Sequence, residues 1–252
     1  LLLHEGTALR PDLQPGVRLY SYARTSGDFH AEHIEAGGGE IRFDLVAPAS
    51  VLPGGRLCGI SLGVPVAVNI DNGIAAMALA LLAGADPEKI REAMASFRGV
   101  ERRFDFKIRT PEKALLSDYA HHPQELRQSL LSLRQLYPGK KLTALFQPHL
   151  YSRTRDFHAE FAEALSLADS VILTEIYPAR EEPIAGVSSR LIYDRLRPGI
   201  ERSLCRKEEL LPLLAEHSTD VLAVLGAGDL DSMIPQFEAL MRRRWQLPDL
   251  PS

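Results

Sequence analysis

After residue 106 the chain repeats one pattern, and that pattern constrains its fold more than anything else in the sequence. A short apolar run is followed by a loop crowded with polar side chains, then by a stretch with apolar residues at helical spacing. The runs are KALLSD (113–118), KLTALF (141–146), SVILTEI (170–176) and DVLAVL (220–225). Strands buried on both faces read as nearly continuous apolar segments, and strand–helix alternation builds right-handed βαβ units. The expectation is an α/β domain with a doubly wound, mainly parallel sheet. Its helices carry Leu126, Leu130, Leu133 and Leu136; then Phe157, Phe161 and Leu165; then Leu230, Met233, Ile234, Phe237 and Met241. Ligands of such sheets bind beyond the carboxyl ends of the strands. The polar residues concentrate there: Asp118 to His122, Gln147 to Arg155, Tyr177 to Glu182 and Gly226 to Asp229.

The first sixty-odd residues read differently. VRLYSYA (17–23), GDFHAEHIE (27–35) and GEIRFDLVAP (39–48) alternate apolar and polar residues, and AGGGE (36–40) predicts a hairpin turn. NGIAAMALALLAGA (72–85) predicts a largely buried helix. Asp86 before Pro87 is a helix start, since a proline at the first position forfeits no hydrogen bond; that helix should run to about Phe97. Two domains are expected, over residues 1–100 and 101–252.

Composition narrows the function classes. The 29 basic against 33 acidic residues give a net charge of −4, which argues against wholesale nucleic-acid binding. Cys58 and Cys205 show neither metal spacing nor a disulfide framework, so a cytoplasmic setting is expected. No apolar stretch approaches the roughly 18 residues of a membrane span. The opening LLLHEG has no methionine and reads as the interior of a longer chain. Arg242, Arg243 and Arg244 beside Trp245 close a helical pattern, where cations suit the helix dipole; they read as a solvated helix end or a partner site.

The loops carry the chemistry. Arg153 and Arg155, with His149, suggest an anionic ligand, because a guanidinium binds carboxylate or phosphate in bidentate fashion; the plainer reading pairs them with acids of the following helix. Asp118 at a strand end suits a ribose hydroxyl or a metal-bound water. His121 and His122, being adjacent, should point apart, with one facing a ligand. A metal site of His121, His122, His149 and His158 lacks the spacing of known zinc helices. GAGD (226–229) is half a dinucleotide fingerprint or simply a tight turn. Glu181 and Glu182 read as an acid/base pair or a solvated loop. Asn69 and Asn72 could cap a helix or read the polar edge of a purine. Arg102 and Arg103 stand at the expected domain junction, which suits a phosphate.

NIDNGIAAMALAL, FRGVERRFD, SDYAHHPQE, FQPHLYSRTRDF, YPAREEPIAGVSS and GAGD, in that order, resemble the Mur ligases, from about residue 55 to the end. The pair DYAHHP and FQPH-x-YSRTRD points to the branch that joins L-alanine to UDP-N-acetylmuramate. The resemblance implies the tail of a central ATPase domain followed by a whole Rossmann-like C-terminal domain. No stretch matches the phosphate loop G-x-x-x-x-G-K-[ST], so it implies a partial enzyme, inactive alone. It implies an ATP- and Mg2+-dependent acid–amino-acid ligase of peptidoglycan precursor synthesis, acting in the cytoplasm through an acyl phosphate. Asn69 and Asn72 match adenine-contacting positions. Arg103 matches the arginine that reaches the ATP phosphates, and Asp118 the aspartate on the nucleotide side; with His121 these form the implied catalytic set. Tyr119, His149 and Arg153 match substrate-binding positions near the amino acid. Val68 replaces a common histidine and Leu150 a common arginine, which places more weight on Arg153. The competing readings are a non-catalytic nucleotide or amino-acid binding module and a histidine-based metal hydrolase.

Overall fold

The computed structural model describes residues 1–248; the last four residues of the second expected domain lie outside them. The chain divides into two compact units, Leu1–Gly99 and Val100 onward.

The first unit opens with a short parallel pair, β1 (Leu2–His4) and β2 (Tyr20–Tyr22). An antiparallel sheet follows: β3 (His30–Gly37), β4 (Glu40–Val46) and β5 (Arg56–Ser61). The β3–β4 turn places Gly38 and Gly39 at φ 57° and 79°, the two left-handed residues that a tight hairpin requires. Ala31, Ile41, Phe43 and Leu45 are buried at every second position, as the alternation predicts. β5 was not legible: Gly59 at φ 69° and a register shift in the β4–β5 ladder spoil its alternation.

Two helices complete the unit, α1 (Val68–Leu82) and α2 (Pro87–Ser96). Asp86 Oδ1 accepts from the amides of Glu88 and Lys89, at 2.9 and 3.1 Å, and so caps α2. The expected burial of α1 holds on one face only. Ile70, Ile74, Met77 and Leu81 are buried, whereas Val68 and Leu79 are more than half exposed. A helix rich in alanine and leucine on every side gives no polar stripe by which the sequence could mark its outer face.

The second unit runs β6 (Asp105–Arg109), β7 (Ala114–Asp118), α3 (Pro123–Leu136), β8 (Leu142–Phe146), α4 (Tyr151–Leu165), β9 (Ser170–Leu173), α5 (Arg190–Tyr193), β10 (Glu201–Leu204), α6 (Leu210–Glu216), β11 (Val221–Leu225) and α7 (Ile234–Arg244). The strands form one six-stranded sheet in the order β10-β9-β8-β11-β7-β6, parallel except for the antiparallel edge strand β6. This is the doubly wound α/β architecture. Leu126, Leu130, Phe161 and Leu165 are fully buried from α3 and α4, and the Phe161 and Phe146 rings lie 5.3 Å apart. A second apolar cluster joins Leu115, Leu145, Leu222 and Ile172 to Leu210, Leu214, Phe237 and Met241. Burying each such side chain stabilises by about 1.5–3 kcal/mol before chain entropy is counted. Among the described residues no helix is long and apolar enough to cross a membrane.

The arginine cluster at the end of α7 is not a solvated end. Arg242 pairs with Glu238 at 2.8 Å, with both side chains mostly buried, and Arg244 donates to the carbonyls of Leu214 (2.7 Å) and His217 (2.5 Å). Arg244 thereby fastens α7 to the end of α6, Arg242 pairs within α7, and Arg243 alone keeps the character of a solvated end.

Candidate functional site

Parallel pairing puts the carboxyl ends of β7, β11, β8 and β9 side by side, so the loops after them share one edge. Backbone bonds knit those loops: Gly226 N donates to Asp118 O (3.1 Å), Gln147 N to Leu225 O (3.1 Å), Tyr177 N to Pro148 O (2.8 Å) and Leu150 N to Tyr177 O (3.0 Å).

The polar stretch Gln147 to Arg155, expected as a loop before the helix of Phe157, is already helical from Tyr151. α4 begins at Tyr151, so Arg153 and Arg155 lie in its first turns. The chain enters α4 through Leu150 at φ 72°, ψ 134°, a conformation that is strained for leucine. Its amide is tied to Tyr177, and its carbonyl accepts from the Thr154 amide (3.1 Å) and hydroxyl (2.9 Å). The cap comes from another loop: Glu181 accepts from the Ser152 amide at 2.9 Å and from its hydroxyl. Those bonds hold the Glu181 carboxyl below its ordinary range. Glu181 is therefore a helix cap in trans, and the acid/base pair with Glu182 is not formed.

Five expected site residues come together. The Tyr119 ring lies 5.2 Å from His121, edge to face, and the His121 and His149 rings are 6.4 Å apart. His149 stacks on Tyr177 at 5.7 Å with an interplanar angle of 21°. Arg153 Nη1 is 3.5 Å from His149 Nδ1, and the Arg103 guanidinium lies 5.2 Å from the Tyr119 centroid. A row of four rings thus crosses the ends of β7, β8 and β9, with Arg103 towards one end and Arg153 towards the other.

The hydrogen bonds fix the ring nitrogens. His121 Nδ1 is 2.9 Å from the Tyr119 carbonyl, which only accepts, so Nδ1 carries hydrogen and the neutral ring keeps a lone pair at Nε2. His149 Nδ1 faces an arginine, which only donates, so that nitrogen is unprotonated. Burial, then the Arg153 charge and that of His121 when its ring is protonated, push the His149 pKa below its usual value against the opposing pull of Glu181. His122 turns the other way, its ring 5.2 Å from Phe157. Glu125 accepts from the amides of His121 (2.8 Å) and His122 (3.0 Å) at the start of α3. Burial opposes its ionisation, but those amides, the Arg103 charge and that of His121 when protonated hold it low.

Asp118 is nearly buried at the tip of β7. Burial pushes its pKa up; the Ser129 hydroxyl, the Phe104 and Ala120 amides and the Arg103 charge offset this only in part. Arg155 is exposed and pairs with the neighbouring Asp156 at 2.7 Å, and His158 Nδ1 contacts the Arg155 carbonyl at 2.7 Å. Asn69 and Asn72 belong to the first unit. Asn69 donates to Val64 O (3.1 Å), Asn72 donates to Asn69 Oδ1 (3.2 Å), and neither caps α1.

Sequence reasoning set Gln147, Tyr177 and Asp229 at the strand ends and Arg102 beside a phosphate, but did not foresee the partners they have here. A Cβ on Gly228 would stand 2.0 Å from Gln147 Oε1, so the glycine is there for close packing. Among the described residues no three His, Cys, Asp or Glu side chains gather to hold a metal ion.

Residues 102–230, just over half of the chain, match the Mur ligase, glutamate ligase domain. The chain is 57% identical over 244 residues to the UDP-N-acetylmuramate–L-alanine ligase of Phocaeicola vulgatus, covering 97% of this chain and 52% of that protein. It is 48% identical over 249 residues to the ligase of the same name from Parabacteroides distasonis, covering 98% and 53%. Among solved structures it resembles the UDP-N-acetylmuramate-alanine ligase of Thermotoga maritima, with TM-score 0.65, 29% identity and coverage of 90% and 48%. The chain spans about half the length of the curated relatives it matches. The chain belongs to the Mur ligase family.

Proposed function

We propose that this chain is the ATP-dependent amide-forming half of a ligase that joins L-alanine to UDP-N-acetylmuramate in the cytoplasm, for peptidoglycan precursor synthesis. Residues 1–100 are assigned to the central ATP-binding domain and 101–252 to the C-terminal ligase domain. The observation that carries the reading is the assembly of Arg103, Tyr119, His121, His149 and Arg153 at one edge of a parallel sheet.

In the proposed reaction the muramate carboxylate attacks the γ-phosphorus of ATP, and ADP departs, leaving an acyl phosphate. The free alanine amine then attacks the acyl carbon, phosphate departs with the C–O bond pair, and the nitrogen sheds one proton while keeping the other as the amide N–H. Arg153 holds the alanine carboxylate in bidentate fashion. Neutral His121, with its lone pair at Nε2, accepts a proton from the amine. His149, kept uncharged, packs beside the amino acid without repelling its ammonium. Arg103 neutralises charge on the transferring phosphoryl group. Asn72, which is exposed, and the half-buried Asn69 are assigned to an adenine edge.

Mg2+ would arrive with the nucleotide phosphates and neutralise their charge. Asp118 is a poor ligand for it, because its oxygens are committed to Ser129, Phe104 and Ala120. The nucleotide-side role of Asp118 is therefore to fix the tip of β7 under Arg103.

A chimera tests the reading. This chain replaces the matching half of the Phocaeicola vulgatus relative, and ADP release is measured with both substrates present. Release that requires both L-alanine and UDP-N-acetylmuramate supports it. A folded chimera with no such release overturns it. The 252-residue chain alone is expected to release none.

A further inference from the structure

Arg102 and Arg103 are neighbours with opposite fates. The Arg102 side chain is 30% exposed and Arg103 57%. Arg102 sits at φ 61°, in the left-handed region that side chains other than glycine seldom adopt, and Phe104 follows at φ 47°. Arg102 is over-tied. Its amide donates to Asp105 Oδ2 (3.2 Å), and its carbonyl accepts from Tyr119 N (2.7 Å). Nη2 donates to Gly228 O (3.1 Å), Nη1 pairs with Asp231 Oδ2 (3.1 Å), and the guanidinium lies 4.8 Å from the Tyr119 centroid. One residue thereby joins the segment before β6 to the loops after β7 and β11.

Resting on the ligase reading above, we infer that Arg102 is the positioning residue of this site: it fastens those three segments together and so sets where Arg103 and Tyr119 present themselves to an anionic ligand. Its own charge is matched by Asp231 and each of its Nη atoms has a partner, so it contributes geometry and not ligand contact. Lysine cannot replace it. An ammonium keeps the charge but cannot reach a carbonyl and a carboxylate in a planar fork while lying against a phenol ring.

The test uses the 252-residue chain, with amide exchange followed by NMR and sodium tripolyphosphate as the probe. Arg102→Lys is expected to speed exchange of the Tyr119 amide by about tenfold, as loss of one hydrogen bond implies. It should also weaken the tripolyphosphate response at Tyr119 despite the retained charge. Arg103→Ala should abolish that response while leaving Tyr119 protection intact. If Arg102→Lys does not fold, Asp231→Asn, on the exposed rim, releases the same guanidinium and should raise Tyr119 exchange in the same direction. Unchanged Tyr119 protection in Arg102→Lys, or in Asp231→Asn where that variant stands in, overturns the inference. A chain that gives no tripolyphosphate response counts against the ligase reading alone, since the exchange measurement still decides the role of Arg102.

Discussion

Gln147 and Asp229 form a reciprocal pair: Gln147 Nε2 donates to Asp229 Oδ1 at 3.0 Å, and the Asp229 amide donates to Gln147 Oε1 at 3.0 Å. Gln147 is almost fully buried, and Lys207 Nζ closes on the other Asp229 oxygen at 2.7 Å. Burial works against the Asp229 charge, but Lys207 and Gln147 outweigh it and hold the carboxyl low. The loops at the ends of β8 and β11 are thereby locked one proline short of His149 and at the last residue of GAGD. A reciprocal polar pair anchored by a buried amide in this way fixes one loop arrangement among many.

Breaking the lock has a measurable cost. Gln147→Ala leaves the Asp229 amide and one carboxylate oxygen without their partner, and should destabilise the chain by about 2–3 kcal/mol. Gly228→Ala drives a methyl into Gln147 Oε1 and Cδ and against Tyr177 Cβ, and should cost a comparable amount. The double variant should cost clearly less than the sum, because removing the amide removes the clash. Urea denaturation of the three variants reads this directly; strict additivity would mean that the two residues do not meet.

Arg153 bears on the alanine carboxylate in the proposed reaction. A charged hydrogen bond contributes about 1.5–3 kcal/mol, so Arg153→Ala in the chimera should lower kcat/KM for L-alanine by about 10- to 150-fold. Turnover with saturating ATP and varied alanine measures it. An unchanged alanine dependence removes Arg153 from the site.

Much of the second unit was legible because its central strands are nearly unbroken apolar runs and its helices carry leucine or phenylalanine at regular spacing. The edge strands β6 and β10 were not. DFKIR and ERSL are short and polar, and only pairing with a neighbour makes them strands. The site residues came from loop composition and family likeness, neither of which reveals that Arg153 lies on a helix: that start is set by Glu181, 28 residues further along the chain. Nor does sequence separate Arg102 from Arg103, because their difference lies in partners more than a hundred residues away.

His149 offers a titration. Burial is the first cause of its lowered pKa and Arg153 the second, so in the wild-type chain its imidazole should titrate below the ordinary value of about 6.5. Arg153→Ala removes one opposing charge and should raise the value without restoring it fully, because the burial persists. The sign for stability follows. The unfolded chain binds this proton more readily than the folded one, so the fold loses stability as pH falls from the unfolded value through the folded one. NMR of the imidazole C–H resonances measures both titrations, and a lower value in the variant would contradict the assigned charge effect.

Asp169 provides the acid counterpart at the opposite edge of the sheet. Its two oxygens receive Arg134 Nη1 and Nη2, each at 2.8 Å, and the Leu142 amide, also at 2.8 Å, ties α3 to the start of β8. Burial opposes its ionisation, yet Arg134 and the amide prevail and hold its pKa below 3.8. A carboxyl depressed on folding stabilises above its unfolded pKa, and that contribution is lost as pH falls through the folded value. Asp169→Asn should therefore destabilise the chain at neutral pH. The carboxylate is more than a third exposed, so solvent screening reduces the effect to about 1 kcal/mol. As pH falls below 3.8 and through the folded pKa, wild type and variant should converge, both lacking the charge. Urea midpoints across that range test the sign: a gap that widens in acid would show that the Arg134–Asp169 pair is not what stabilises this corner of the fold.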